Sequence, residues 1–228
     1  IYNFLPNKKI DLCYEEISEI INHFNKNNKK KKQLISEKTA MVICYGDSVY
    51  KQNQKNLKTF QKFFNKKLSK FIDTIHFLPF YPSSSDSGFA VKDHYKIDNK
   101  FGNWIDFKKF SRNKNIMADI VINHASARGL WFKNFLKEKK PGKDYFFLVN
   151  SKFNVSRVVR PRDHKLLKEI NIFKRKDYLW RTFSDDQIDL NFKNPKVLVR
   201  FIKIMINLIK HGVTIFRLDA IAYLWKEN

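Results

Sequence analysis

The chain has 228 residues and a formal charge of +23, from 45 Lys and Arg against 22 Asp and Glu. A chain of this length buries a substantial core and suits one domain, or one domain with a large insertion, and its 22 Phe exclude a disordered polypeptide. No window approaches the roughly 18 consecutive apolar residues of a membrane span, and Ile1–Lys9 lacks the charged-then-apolar order of a secretion signal.

The setting implied by these features is soluble and cytoplasmic, with no membrane partner. Cys13 and Cys44 have neither CxxC nor nearby His spacing. No disulfide framework or metal site is therefore expected, and both are read as small buried hydrophobes. The Lys excess runs with Asn, Ile and Phe along the whole chain, the pattern of an AT-biased genome, and is dense only at Asn25–Gln33. That block has no interleaved aromatics to stack on bases, so nucleic acid is not the expected partner. The sequence opens on Ile, and its first Met is Met41; its natural start is expected upstream.

In chain order, Tyr14–Phe24 is an amphipathic helix pattern, with Ile17, Ile20, Ile21 and Phe24 on one face. This helix and the basic linker after it make a first segment, 1–38. A strand-like run (Ala40–Tyr45), a helix pattern (Leu57–Phe71), a second strand (Thr74–Phe80), a helix (Trp104–Phe110) and a third strand (Ile116–Ile122) fill 39–124. Residues 125–193 show few clean periods and are too long for an ordinary connection, so they are read as an inserted subdomain or functional loops. In 194–228 a helix pattern, Val197–Ile209, stops at Gly212 and feeds a fourth strand, Val213–Phe216. Strands alternating with helices imply a parallel α/β sheet.

Polar groups collect just past each strand: Tyr45–Ser48, the long stretch to His94 that includes Asp86 and Phe89, then Asn123 and His124, then Arg217 and Asp219. Each alone is weak, since a lone strand-end Asp is often a helix cap. Together they supply what carbohydrate transfer needs: carboxylates to grip sugar hydroxyls, an aromatic platform for the ring, and a carboxylate nucleophile kept ionised by an Arg. Trp131, Trp180 and Trp225 are read as core aromatics.

The segments DIVINH (Asp119–His124), FRLDA (Phe216–Ala220) and GNWID (Gly102–Asp106) resemble sequence regions of the α-amylase superfamily, glycoside hydrolase family thirteen. The blocks Leu78–Asp98, Arg157–Arg162 (RVVRPR), Thr182–Phe192 and Arg217–Glu227 resemble its sucrose phosphorylase-like branch, which includes glucosylglycerate phosphorylases. The resemblance runs from about Met41 to the end of the chain. It implies the first four βα units of a (β/α)8 TIM barrel with a subdomain inserted after the third strand, and retaining glucosyl transfer to phosphate through a covalent glucosyl-Asp.

By match of motif, Asp219 is the nucleophile, and Arg217 orients it and depresses its pKa. Asp86 and His124 hold glucosyl hydroxyls, Phe89 is the platform, and Gln187 is a loop residue near the acceptor. Arg160 and Arg162 surround the phosphate, a planar permanent cation suiting that dianion. Asp119 and Asn123 match structural supports. The implied ligands are a small sugar substrate and inorganic phosphate as co-substrate, with no cofactor and no metal.

The family's acid and its further Asp fall after later strands, and Glu227 is expected to point away from the mouth. The expectation is therefore an incomplete chain, inactive and weakly stable alone. A hydrolase, a half-barrel completed by a second chain carrying the C-terminal half, and a non-catalytic sugar- or nucleic-acid-binding remnant remain as alternatives.

Overall fold

The computed structural model describes residues 6–26, 35–172 and 175–226. Most of the basic block Asn25–Gln33 lies outside these described residues, as does Glu227. The elements run α1 (Asn7–Lys26), β1 (Met41–Cys44), α2 (Asn56–Lys67), β2 (Thr74–Phe77), α3 (Trp104–Ser111) and β3 (Asn115–Val121). There follow β4 (His124–Ser126), α4 (Leu130–Leu136), β5 (Leu148–Val149), β6 (Leu167–Ile172), β7 (Arg175–Trp180), β8 (Gln187–Asp189), α5 (Pro195–Lys210) and β9 (Ile215–Asp219).

Four strands form one parallel sheet in the order β1-β2-β3-β9. The α/β expectation is met, with helices α2, α3 and α5 as the crossovers. Register between the last two strands sets Asp119 beside Arg217 and Val121 beside Asp219.

The helices form where the sequence pattern places apolar residues three and four apart. Leu57, Phe60 and Phe64 of α2 are all buried, one stripe facing the sheet. There they meet Phe77, which is fully buried, with Phe60 at 5.1 Å and Phe101 at 5.2 Å between ring centroids, both edge-on. Asn103 caps α3 by accepting a hydrogen bond from Asp106 N at 2.9 Å and returning one from its amide to the Asp106 carboxylate, which satisfies an otherwise unpartnered N–H of the first turn.

Helix α5 carries Pro195 in its first turn and is capped by Asn194, whose carbonyl accepts from Lys196 N. It ends ahead of Gly212, whose φ of 104° is a conformation side chains rarely adopt. Helix α1 packs against α5, with Glu16 paired to Lys203 at 2.6 Å.

The span 125–193 is more ordered than its sequence foretells. It holds α4 and most of two antiparallel sheets, β4-β8 and β5-β7-β6. The three-stranded sheet covers a small apolar cluster of Phe147, Val149, Leu166 and Trp180, separate from the main core.

Several expectations need correction. The fourth parallel strand starts later and runs further than Val213–Phe216, so Arg217 and Asp219 are strand residues, held by the ladder to β3 and not by a loop. Helix α1 starts well before Tyr14, because its amphipathic face continues through Ile10 and Cys13. Cys13 and Cys44 are half-buried, each on an element with one face open to solvent. Trp225 is 38% exposed, whereas Trp180 is buried and Trp131 is partly buried on the core, stacked on His94 at 5.4 Å.

Candidate active site

Alternation along β9 puts the side chains of Arg217 and Asp219 on one face of the sheet, at its carboxyl end. Arg217 donates to Asp119 in a close ion pair and to Asp219 at 3.2 Å. Asp119, fully buried, has its second oxygen 2.8 Å from His76 Nε2. Tyr81 Oη donates to the Asp119 carbonyl at 2.9 Å, which ties the loop after β2 to the same point. One guanidinium thus joins a buried carboxylate to one that reaches the surface.

Asp219 departs from expectation in its proton affinity. Burial raises its pKa above the ordinary carboxylate value; Arg217 opposes this, and the charges of Asp119 and Asp86 reinforce it. Arg217 shares its charge with Asp119, so its pull on Asp219 is outweighed. The expected net depression is therefore replaced by a net rise.

Asp86 starts a tight turn in which it (φ 54°), Ser87 (φ 48°) and Gly88 (φ 105°) are all left-handed. A Cβ on Gly88 would sit 2.6 Å from the Pro79 carbonyl oxygen, so the turn demands glycine there. Strained backbone of this kind persists where its surroundings hold it, often at functional sites. The Asp86 carboxylate accepts from Gln187 Nε2 at 2.8 Å. Gln187 lies on β8 and is buried, not in a loop as the sequence implied, and its Oε1 has no hydrogen-bond partner.

His124 is buried beside them. Its Nε2 lies 3.2 Å from the Phe89 carbonyl oxygen, and its Nδ1 lies 3.4 Å from Asn123 Nδ2. The pair of contacts assigns the proton to Nε2. Burial lowers the His124 pKa against the opposing pull of Asp189, so the ring is neutral. Phe89 is half-buried at the same rim.

A second buried network lies behind His124. Asp189 accepts from Thr182 N (2.9 Å), Thr182 Oγ1 (2.6 Å) and Asn123 Nδ2 (3.0 Å), and lies 3.1 Å from Lys226 Nζ. Lys226 also donates to Asn123 Oδ1 (3.2 Å) and to the Tyr223 carbonyl (2.7 Å), which uses all three of its protons.

This combination, an Arg between two aspartates at the end of a parallel strand with Asp, His and Phe around the rim, coincides with a family match. A profile described as alpha amylase, catalytic domain, covers residues 64–228. The chain belongs to the alpha-amylase catalytic-domain family.

Among its relatives is a glucosylglycerate phosphorylase of Spirochaeta thermophila, 40% identical over 188 residues, spanning 82% of this chain and 32% of the relative. A sucrose phosphorylase of Streptococcus mutans is 33% identical over 207 residues, spanning 82% of this chain and 40% of the relative. The crystal structure of a sucrose 6F-phosphate phosphorylase from Thermoanaerobacter thermosaccharolyticum superposes with a TM-score of 0.76 at 28% identity, covering 86% of this chain and 42% of that one. The chain thus spans about a third of the curated phosphorylase it matches at 40% identity. Its parallel sheet and flanking helices are part of an alpha-amylase (β/α)8 barrel, with the antiparallel sheets inserted after the third barrel strand.

Within this alpha-amylase domain Asp86 contacts Gln187, His124 contacts Phe89 and Arg217 contacts Asp219, and the charge of Asp86 is felt at both His124 and Asp219. Arg160 and Arg162 are exposed on the segment between β5 and β6, and no contact joins them to the others. His76 and Lys226 escaped the sequence reading. A histidine inside an otherwise apolar strand was the available signal for the first. The second is identified only by its contacts with Asp189 and Asn123. Among the described residues no group of three or more His, Cys, Asp or Glu side chains is arranged to hold a metal ion, and no helix is long and apolar enough to cross a membrane.

Proposed function

We propose that this chain carries the glucosyl-holding and nucleophilic part of a retaining α-glucoside phosphorylase, with glucosylglycerate as the first donor to test and sucrose the second. The ordering follows the relatives, of which the glucosylglycerate phosphorylase of Spirochaeta thermophila is 40% identical and the sucrose phosphorylase of Streptococcus mutans 33%. The observation that carries the proposal is the guanidinium of Arg217 held between buried Asp119 and Asp219 at the end of β9.

In the proposed reaction a carboxylate oxygen of Asp219 attacks the anomeric carbon, and the bond to the leaving oxygen breaks as that oxygen takes a proton. An oxygen of inorganic phosphate then displaces Asp219, releasing glucose 1-phosphate and restoring the carboxylate. Asp86 and neutral His124 hold ring hydroxyls over Phe89, Gln187 sets the Asp86 carboxylate, and Arg160 and Arg162 receive the phosphate. The proposed domain plan has barrel segments at 39–124 and 194–228 and an inserted subdomain at 125–193.

The proton donor is assigned to a complementing C-terminal half, because at this mouth Asp119 is held between Arg217 and His76 and Asp86 is occupied by Gln187. An acid of this kind contributes about 10²- to 10⁴-fold in rate, so the chain alone should give no glucose 1-phosphate from glucosylglycerate and phosphate.

α-Glucosyl fluoride separates the nucleophile from the acid, since fluoride leaves without a proton. Incubation should add one glucosyl residue to Asp219, seen by peptide mass spectrometry after acid quench. Asp219→Asn should abolish the adduct. No adduct on the wild-type chain, or one indifferent to this substitution, would reject Asp219 as nucleophile.

A further inference from the structure

Asp186 stands next to Gln187, and its carboxylate meets a cluster of hydroxyls. Its Oδ2 accepts from Ser84 Oγ at 2.5 Å and from Ser85 Oγ at 2.7 Å. Its Oδ1 lies 3.4 Å from Ser126 Oγ and 4.0 Å from Arg128 Nε. Ser84 Oγ and Ser126 Oγ are themselves 2.5 Å apart, and Ser126 Oγ accepts from Arg128 N at 2.9 Å. The Ala127 N–H donates to the Asp186 carbonyl at 2.8 Å.

The proton count gives this cluster a direction. A serine hydroxyl has one proton. The Ser84 and Ser85 protons go to Asp186, so the Ser126 proton goes to Ser84, and Ser126 takes the Arg128 amide proton on its own lone pair. The donors converge on Asp186, which takes the shorter of the two contacts open to Ser84 Oγ, 2.5 Å against 3.4 Å to the Ala90 carbonyl oxygen. A neutral side chain unable to accept would leave the part-buried Ser84 hydroxyl without its closest partner, beside an Asp186 side chain that is only 16% exposed, whereas the exposed Ser85 hydroxyl could turn to water.

The three segments that meet here are the ones that bear the site. Ser84 and Ser85 immediately precede Asp86, Ser126 is two residues beyond His124, and Asp186 immediately precedes Gln187. They come from the loop after β2, from β4 and from the approach to β8, more than a hundred residues apart at the extremes.

We propose that Asp186 is a positioning residue, a carboxylate clasp that sets the placement of Asp86, His124 and Gln187 relative to one another. It touches no substrate itself. This inference rests on the sugar-site reading above for its consequence in binding, but the clasp is also measurable without any sugar.

The test uses the chain as it stands, with Asp186→Ala, Asp186→Asn and the double variant Ser84→Ala/Ser85→Ala. Asn retains one carbonyl oxygen able to accept from Ser84 and Ser85. The first readout is amide hydrogen exchange. Asp186→Ala should speed exchange at Ser84, Ala90, Ser126 and Ala127 together, leaving the amides of β1 to β3 unchanged. The second is D-glucose binding by ligand-observed NMR, where Asp186→Ala and the double variant should weaken binding about tenfold and Asp186→Asn should stay within about threefold of wild type.

Unchanged exchange at those amides in both Asp186→Ala and the double variant overturns the clasp, whatever the sugar does. Glucose binding that is as strong in Asp186→Ala as in wild type, or that Asp186→Asn fails to restore, overturns its positioning role. A wild-type chain that binds no glucose overturns the sugar-site reading and with it the positioning role, while exchange still decides the clasp.

Discussion

Asp219 and Arg217 show how burial and pairing compete within one short contact. Burial pushes the Asp219 pKa up, and Arg217 is the opposing influence. Replacing Arg217 with Gln removes that opposition, so the carboxylate should take its proton at higher pH than in wild type. The acid limb of a pH profile for Asp219 labelling by α-glucosyl fluoride should shift upward, and a shift downward or none would show that Arg217 does not govern this carboxylate. The motif itself was legible: Asp86, Phe89, His124, Arg217 and Asp219 stand in order at strand ends, and the fold gathers them. What was not legible is pairing over long sequence distances. Nothing about Asp186 or Lys226 in isolation says that the first will meet Ser84 or that the second will neutralise Asp189, because such contacts exist only after the chain has closed on itself.

At the scale of elements, one-faced apolar periods located α2, α3 and α5, and short apolar runs located the four parallel strands, of which β2 is buried on both faces. Boundaries moved where hydrogen bonding decides and hydrophobicity does not: β9 extends through Arg217 and Asp219 since β3 continues to pair with it. The inserted sheets were missed for a different reason. Strands β6 (LKEINI) and β7 (RKDYLW) keep no regular alternation of polar and apolar residues and pack on a small satellite cluster, so no period stands out. The aromatic interior is the firmer element. Phe77 lies fully buried between the rings of Phe60, Phe101 and Phe110. Phe77→Ala should cost about 3–5 kcal/mol, read as a lowered urea midpoint with unchanged slope; a loss under about 1 kcal/mol would mean the cluster collapses to refill the space.

For the whole molecule, pH and salt should act through separate groups. His94 is buried, stacked on Trp131 and packed against Tyr81, with Asp93 and His124 acting on its charge, and burial pushes its pKa from the usual 6.5 down to about 4. The unfolded chain therefore takes up this proton first as pH falls. Its contribution is fully present above about pH 6.5 and is lost on descending to about pH 4, roughly 3 kcal/mol in all. Thermal unfolding followed across that window should show the loss, and His94→Gln should flatten it; an equal slope in the variant would exclude His94.

Among the described residues, β1 and β9 each have one neighbour in the parallel sheet, so an edge is open on either side, with Ile43 61% exposed at one of them. Such edges favour association, whereas a charge of +23 opposes it. Added salt shortens the reach of that repulsion to about 10 Å at 0.1 M. Sedimentation should show association growing with ionic strength; association that falls as salt rises would point instead to ion pairing.

The ladder between β3 and β9 also acts as a ruler for the chemistry above it. Asp119 sits opposite Arg217, and the next position along on the same face is Asp219. Whatever aims the carboxylate is thus inherited from strand alignment, with His76 pinning the buried Asp119 at the far end. A slip of one residue would turn guanidinium and carboxylate together toward the helices, leaving Asp119 buried without its cation. The same few backbone bonds that keep the sheet in step therefore guard the site against a misaligned fold.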